Sequence, residues 1–285
     1  MLFRSLTEFI GFGLAIDEPT TLRVVSESDL PGDRIAEYDI ELQGRAIGNL
    51  RLMEEAMAFS EMGLGPDVLT LTTPPGNEAA WFADAAAMEE LLGGLGERTG
   101  TTWAVIPARR NDVFLVNVAT DRWDDLLDDL EEAVLARDGI HPLPHVVANR
   151  RWQLSLPPRT SQLGRRLQKL RQHAEWRVYD VLKDAIRKDY DHYVSDYEDL
   201  YSFDEPFSMA FVPEDVPGAS IPVVDVITFE RGHSVLNVPY AEVVGQLPHL
   251  VKPHPGTHPP RVIVTHPSEE DYARLRSLRL RVSSR

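Results

Sequence analysis

The chain has 285 residues, and its 29 lysines and arginines stand against 45 aspartates and glutamates, so the formal net charge is −16. Hydrophobic residues make up 43% of the sequence, which is typical of a globular protein and excludes a wholly disordered one. The sequence contains no cysteine, which excludes disulfides, thiolate catalysis and metal sites built on cysteine.

The apolar pattern bears on the expected location. No apolar run approaches the roughly 18 residues that a membrane-spanning helix needs. The amino-terminal stretch carries Glu8 among its apolar residues and lacks a small-residue cleavage site, unlike a secretory signal. We therefore expect a soluble, cytoplasmic protein that does not act on a membrane.

Charge is distributed unevenly along the chain. Residues 1–148 hold 10 basic and 27 acidic side chains, a net charge of −17, whereas residues 149–285 hold 19 and 18, a net charge of +1. Such an asymmetry predicts two domains with different surfaces. The acidic half would repel a phosphate backbone, so we expect no nucleic-acid partner and favour a protein with a basic surface.

The first half of the chain alternates helical and extended patterns. In chain order, the predicted elements are a helix over 39–60, a strand over 67–73, a helix over 78–95, strands over 102–109 and 113–119, and a helix that Asp121 caps. The two strands are rich in β-branched residues and flank a short polar turn, which indicates an antiparallel hairpin. This order predicts an α+β fold with helices packed on an antiparallel sheet.

The prolines and glycines of residues 139–160 predict a domain boundary with one short strand, 151–156. We expect an acidic domain over 1–148, a proline-rich linker and connecting helices over 149–200, and a smaller mixed α+β domain over 201–285. In the last part, we expect strands over 207–212, 222–229, 234–238 and 261–265, and helices over 240–246 and 268–278.

A tyrosine pattern marks the end of the connecting helices. Tyr190, Tyr193, Tyr197 and Tyr201 recur at intervals of three or four residues, with acidic residues between them. One interpretation is a docked helix whose tyrosines face the core. The other is a partner-binding surface, because tyrosine buries a large area and keeps one polar tip. That surface would consist of Tyr193, Tyr197, Asp196, Glu198 and Asp199.

Few residues are spaced for chemistry. The acidic run 121–132 places its aspartates opposite an apolar stripe, which predicts a solvated helix face rather than a cation site.

Asp225 alternates with apolar residues in a predicted strand, so it is either hydrogen-bonded to neighbouring groups or part of a site with His233. Four histidines, His249, His254, His258 and His266, are either metal ligands or solvated loop residues. We predict no cofactor.

Several short segments carry a family resemblance. They are 46–50 (AIGNL), 67–71 (DVLTL), 78–80 (EAA) and 105–109 (VIPAR). Over roughly residues 39–155 the chain resembles the uncharacterised YtpQ-type family of bacterial proteins, which implies no established activity or catalytic residue. The order of helix, antiparallel sheet and acidic helix is also similar to the YbjN and type III secretion chaperone group. That similarity implies a protein that binds other proteins and is not an enzyme.

These observations favour a non-enzymatic, chaperone-like protein that binds a partner through its acidic first domain or its tyrosine-containing segment. The alternative is a metal-dependent hydrolase or nuclease in the carboxyl-terminal domain, using Asp225 with His233 or the four histidines. The sequence leaves open whether the protein forms a homodimer.

Overall fold

The computed structural model describes residues 3–18, 21–29, 35–53, 57–189, 193–200 and 206–278. The chain forms two compact units, Met1–Leu170 and Arg171–Arg285, and the boundary lies within one long helix. Both units combine helices with mostly antiparallel sheets, so the α+β prediction is confirmed. Within the described residues, no helix has the length and apolar character needed to cross a bilayer.

The first unit is built on a six-stranded antiparallel sheet. Its elements are β1 (Phe3–Ser5), β2 (Gly11–Gly13), β3 (Ala15–Glu18), β4 (Thr21–Val24), α1 (Ile35–Met53), β5 (Phe59–Glu61), β6 (Val68–Leu71), α2 (Ala85–Thr99), β7 (Trp103–Pro107), β8 (Val113–Asn117), α3 (Trp123–Leu135), β9 (His145–Ala148) and β10 (Arg151–Leu154). The large sheet has the order β10-β9-β7-β8-β6-β5, and β1-β2 and β3-β4 are separate hairpins.

The hairpin β7–β8 is the centre of this sheet, and the prediction of it is confirmed. Every residue of both strands is buried, so both faces of the sheet are shielded from solvent at this hairpin. The turn closes with reciprocal hydrogen bonds between the backbones of Arg109 and Asp112, at 3.1 and 3.3 Å. Its β-branched runs suit a strand that is buried on both sides.

The single helix expected over 78–95 is divided at Asp84. A 3₁₀ helix, Glu78–Ala83, precedes α2, and the Asp84 carboxylate accepts a hydrogen bond from the Ala87 N–H at 3.2 Å. Two further bonds, from Arg51 at 2.6 and 2.8 Å, hold the same carboxylate. Burial alone would raise the pKa of Asp84, but the bonds from Arg51 and the Ala87 N–H outweigh it and lower the pKa.

The start of α3 differs from the prediction. Arg122, rather than Asp121, is the residue before the helix, and no side chain caps the first turn. The Arg122 N–H instead donates to Thr120 Oγ1 at 3.2 Å. The predicted capping role of Asp121 is therefore wrong, because the preceding threonine supplies the local acceptor.

Residues 139–160, expected to form a linker, contribute strands β9 and β10 to the first sheet. Asn149 and Arg150 adopt positive φ angles of 53° and 58°, which produces a tight hairpin turn. Trp152 stacks on Phe82 with ring centroids 3.8 Å apart and donates a hydrogen bond to the Phe82 carbonyl at 3.0 Å. These contacts keep the segment in the first unit, which continues to Leu170.

The second unit contains two four-stranded sheets. Its elements are the later part of α4 (Gln162–Asp189), β11 (Tyr193–Val194), β12 (Glu198–Leu200), β13 (Phe207–Val212), β14 (Gly218–Pro222), β15 (Val226–Arg231), β16 (Ser234–Pro239), α5 (Tyr240–Gln246), β17 (Val251–His254), β18 (Arg261–Thr265) and α6 (Glu269–Leu278). The sheet orders are β11-β14-β18-β17 and β12-β13-β15-β16. Pairing is parallel in β11–β14 and β13–β15 and antiparallel elsewhere.

The structure corrects the prediction that the tyrosine-containing segment is helical. The helix α4 spans Gln162–Asp189, and Tyr193–Val194 and Glu198–Leu200 form the short edge strands β11 and β12. Asp196, Glu198 and Asp199 would repel one another within a helical turn, whereas pairing with β14 and β13 satisfies the backbone in an extended conformation. Tyr190 and Tyr201 lie outside the described residues.

Candidate functional site

Asp225 lies just before β15, and its carboxylate is hydrogen-bonded to Ser208 in β13. Its Oδ2 accepts hydrogen bonds from the Ser208 backbone N–H at 3.0 Å and from Ser208 Oγ at 3.1 Å. Ser208 Oγ in turn accepts a bond from the Asp225 N–H at 3.0 Å. Ser208 is buried, so this pair joins β13 to the start of β15. These contacts agree with the structural interpretation of Asp225.

The structure does not bring His233 close to Asp225. His233 is exposed in the turn between β15 and β16, which pair from Val226–Pro239 to Arg231–Ser234. The turn is therefore at the opposite end of β15 from Asp225. At about 3.3 Å per residue, a strand of this length separates the two side chains by roughly 20 Å.

The four candidate histidines have separate surroundings. Their recorded contacts are His249 Nε2 with Asp271 Oδ1 at 3.2 Å, His254 Nδ1 with Ser220 Oγ at 2.8 Å, and His266 Nε2 with the Glu230 carbonyl at 3.2 Å. His258 precedes a cis proline in the loop before β18. In the part of the chain that the structure describes, no three histidine, aspartate or glutamate side chains are placed to hold one metal ion.

A buried polar network lies beneath β12 in the second unit. Arg171 and Glu175, one turn apart on α4, are joined at 2.5 Å, and the Tyr197 hydroxyl donates to Glu175 Oε2 at 2.9 Å. Burial raises the pKa of Glu175, and the Arg171 charge and these hydrogen bonds only partly offset it. Burial, and then the charge of Glu175, raises the pKa of Tyr197 well above its ordinary value. Tyr197 therefore stays a protonated donor.

This burial changes the expected role of Tyr197. Its side chain is only 3% exposed and stacks on Tyr179, with ring centroids 5.4 Å apart, whereas Tyr193 is 39% exposed. Most of the Tyr197 ring is thus unable to contact a partner's surface, because it packs between α4 and β12. We reassign Tyr197 from a surface contact to the floor of a pocket.

Arg261 holds the backbone next to this floor. It is 2% exposed, and its Nη2 donates to the carbonyls of Ser195 at 2.7 Å and Ser220 at 2.9 Å, while Nε donates to Ser220 Oγ at 3.0 Å. Burial lowers the pKa of Arg261 to about 10. The guanidinium group therefore joins β18, β14 and the segment after β11.

Above Tyr197 is a cavity of about 400 Å³, which we call the acidic pocket. Its lining residues are Trp176, Asp180, Lys183, Asp196, Tyr197, Glu198 and Asp199. Four carboxylates and one ammonium group give this lining a formal charge of −3. Trp176 is 43% exposed, which is unusual for so large an apolar side chain. The pocket thus combines an accessible indole with an excess of negative charge.

The charges of the pocket are partly paired. Lys183 Nζ lies 2.7 Å from Asp180 Oδ1 and 3.1 Å from Asp196 Oδ1. Its hydrogen bonds to Asp180 and then Asp196 raise the pKa of Lys183, so it is charged at neutral pH. His173 Nε2 lies 3.6 Å from Asp199 Oδ2. Glu198 extends from the edge strand β12 and is exposed.

The sequence interpretation found three of these carboxylates, Asp196, Glu198 and Asp199, but missed the wall that α4 supplies. Trp176, Asp180 and Lys183 are spaced i, i+4 and i+7, which places them on one face of a helix. The sequence signal that could have predicted this wall is an aromatic residue among charged residues on one helix face. The pairing of β12 with β13, which brings the two walls together, has no local signal.

The acidic face of α3, which the sequence predicts to be solvated, is covered in part by one arginine. Arg166 Nη1 lies 3.1 Å from Asp124 Oδ1, and Arg166 Nη2 lies 3.3 Å from Asp128 Oδ1 and 3.0 Å from Glu131 Oε1. Successive turns of α3 bring these carboxylates into one row, and the guanidinium group reduces their mutual repulsion. The predicted solvated face is exposed, but part of its charge is already neutralised.

The first unit contains a separate cavity of about 610 Å³. It lies between β2, α1 and the 3₁₀ helix, and side chains such as Phe12, Ile47, Leu50 and Phe82 line it. The described residues of the lining are mainly apolar, and none of them is acidic or basic. This cavity therefore lacks the charge that the expected basic partner requires.

Comparison with known proteins identifies no relative of the chain, because no family model, no curated protein and no solved structure matches it. The resemblance to the YtpQ-type and YbjN groups stays a prediction, and function has to be inferred from the residues themselves.

Proposed function

We propose that this protein is a non-enzymatic binding protein that holds a basic segment of another protein in the acidic pocket. The observation that carries the proposal is the exposed indole of Trp176 in a cavity whose lining also bears four carboxylates. The expected basic partner and a chaperone-like role are consistent with this chemistry.

Both components of the pocket attract the same chemical group. Carboxylates form charge-assisted hydrogen bonds with guanidinium and ammonium groups, and the bonds to guanidinium can be bidentate. The face of an indole ring attracts the same cations through its quadrupole. An arginine or lysine side chain that enters the pocket would contact Trp176 on one side and Glu198 or Asp199 on the other.

The pocket is also held in a fixed shape. The hydrogen bond from Tyr197 to Glu175 holds its floor, and the Arg261 bond to the Ser195 carbonyl holds the adjoining backbone. A preorganised pocket loses less conformational entropy when a ligand binds than a mobile one does. The buried network therefore supports binding without itself contacting the partner.

A labelled peptide that alternates arginine and glycine is a direct probe, with a glutamate–glycine peptide as its control. We expect fluorescence anisotropy to show binding of the basic peptide that weakens as salt is added. Glu198→Gln with Asp199→Asn should weaken binding about ten-fold, because two charge contacts to the peptide are lost. Reversing the charges of Asp196, Glu198 and Asp199 should weaken it further.

A matched control changes the same charge elsewhere. Asp184→Asn with Glu270→Gln removes two exposed carboxylates that do not line the pocket, and we expect little change in affinity. Likewise, Trp176→Ala should weaken binding, whereas Val181→Ala, which alters another exposed apolar residue of α4, should not. Equal losses in the pocket and control variants would refute the pocket as the binding site.

The alternative function, a metal-dependent hydrolase or nuclease, is not favoured by a specific arrangement in the described residues. Asp225 is bonded to Ser208, and His233 lies at the far end of a strand. Metal analysis of the purified protein tests the alternative directly, since a stoichiometric transition metal would overturn the non-enzymatic proposal.

The proposal includes a cytoplasmic location. The absence of cysteine supports it weakly, because many small secreted domains depend on disulfides for stability. Cell fractionation with an antibody against the chain is the corresponding measurement.

A further inference from the structure

The acidic pocket already holds one cation, and that cation belongs to the chain. The Lys183 ammonium group lies between Asp180, at 2.7 Å, and Asp196, at 3.1 Å. Arg187 Nη2 also approaches Asp196, at 3.5 Å. Two of the four carboxylates are therefore neutralised from within by cations of α4, while Glu198 and Asp199 also line the cavity.

The contacts of Lys183 are of the same kind that an incoming basic side chain would make. The ion pairs of Lys183 show that Asp180 and Asp196 are placed to hold one ammonium group between them. These pairs lie near the surface, with 43% and 50% of the Asp180 and Asp196 side chains exposed, and exposed pairs exchange partners at low cost. Lysine also has a long flexible stem, so its ammonium group can leave without moving the helix.

We propose that Lys183 is an internal competitor: a partner's arginine or lysine displaces it from Asp180 and Asp196, and Lys183 thereby sets the affinity of the pocket. This inference rests on the proposed function. It adds that the ligand occupies the site of the lysine, and that the pocket rejects weakly basic segments that cannot displace Lys183. Guanidinium is favoured over ammonium as the displacing group, because it can bond both carboxylates at once and stack on Trp176.

The test is the affinity of Lys183→Gln for the arginine–glycine peptide. Glutamine keeps much of the length of lysine but removes its charge, so Asp180 and Asp196 become available and binding should tighten about five-fold at low salt. Lys188→Gln is the matched control, because it removes the same charge from the same helix outside the pocket. Lys183→Arg keeps the competing charge and should not tighten binding.

A second measurement separates competition from a structural role. If Lys183 competes, the loss of affinity with added salt should be steeper in Lys183→Gln than in Lys188→Gln, because the pocket then presents a larger unpaired charge. Adding Asp180→Asn and Asp196→Asn should abolish the gain. Thermal unfolding of each variant shows whether the fold is retained.

The outcomes distinguish the two proposals. Tighter binding by Lys183→Gln but not by Lys188→Gln supports the proposal that Lys183 is an internal competitor. Equal or weaker binding by folded Lys183→Gln overturns it, while binding by the parent chain leaves the proposed function standing. Absence of binding in both the parent chain and Lys183→Gln refutes the proposed function and the competitor together.

Discussion

His145 makes the stability of the first unit depend on pH. Its imidazole is 1% exposed, its Nδ1 lies 2.8 Å from the Leu143 carbonyl, and Phe82 packs edge-on against it with ring centroids 5.3 Å apart. Burial lowers the pKa of His145 to about 4 from an ordinary value of 6.5. The neutral ring donates its Nδ1–H to the carbonyl, and this hydrogen bond only partly offsets the effect of burial on the pKa.

The direction of the effect follows from proton binding. Below pH 6.5 the unfolded chain takes up a proton that the folded chain rejects, so stability is lost as the pH falls and the loss is complete below about pH 4. A shift of about 2.5 units corresponds to a total of about 3 kcal/mol. Between pH 7 and pH 5 the contribution of His145 is a loss of about 2 kcal/mol.

Urea unfolding at a series of pH values between 7 and 5 measures this loss. The Trp176→Phe variant is the suitable background, because the four remaining tryptophans then all report on the first unit. His145→Asn keeps a donor near the Leu143 carbonyl but does not titrate. We expect the parent chain to lose about 2 kcal/mol more than His145→Asn over this range. Equal losses in the two proteins, or a directly measured pKa near 6.5 for His145, would refute the reasoning.

Two further predictions concern fixed charges. Asp84→Ala removes both the cap of α2 and the partner of Arg51, so urea unfolding of the first unit should show a loss of about 2 kcal/mol; an unchanged midpoint would contradict the assigned role. Arg261→Ala removes the arginine donor from the Ser195 carbonyl and one of two donors from the Ser220 carbonyl, so urea unfolding followed by circular dichroism should show a free energy of unfolding about 3 kcal/mol lower for the second unit; an unchanged free energy of unfolding would contradict this role.

The elements that the sequence predicted well are those with a strong local pattern. The hairpin β7–β8, the apolar stripe of α3 and the short helix α5 each contain their own signal, in β-branched runs or in helical spacing. The helix α5 begins and ends where predicted, β7 and β8 are two or three residues shorter than predicted, and the helix expected over 78–95 is divided before α2. Asp84 shows why, since its capping bond and its distant partner Arg51 together decide where α2 begins.

The candidate site was harder to predict because it depends on pairing between distant segments. Residues 193–200 carry a helical spacing of tyrosines, but hydrogen bonds to β13 and β14 decide their conformation. Tyr197 is buried because Glu175, more than twenty residues earlier, accepts its hydroxyl proton in a hydrogen bond. Neither partner is visible from the sequence around Tyr197, so the acidic residues could be predicted and the pocket could not.

The placement of the tryptophans gives the protein an intrinsic optical reporter. Trp81, Trp103, Trp123 and Trp152 are all less than 10% exposed, whereas Trp176 is 43% exposed. Water-soluble quenchers such as iodide or acrylamide therefore reach one indole far more readily than the others. A ligand that covers this ring would shield it, so occupancy of the pocket can be followed by quenching in the unlabelled, unmodified chain.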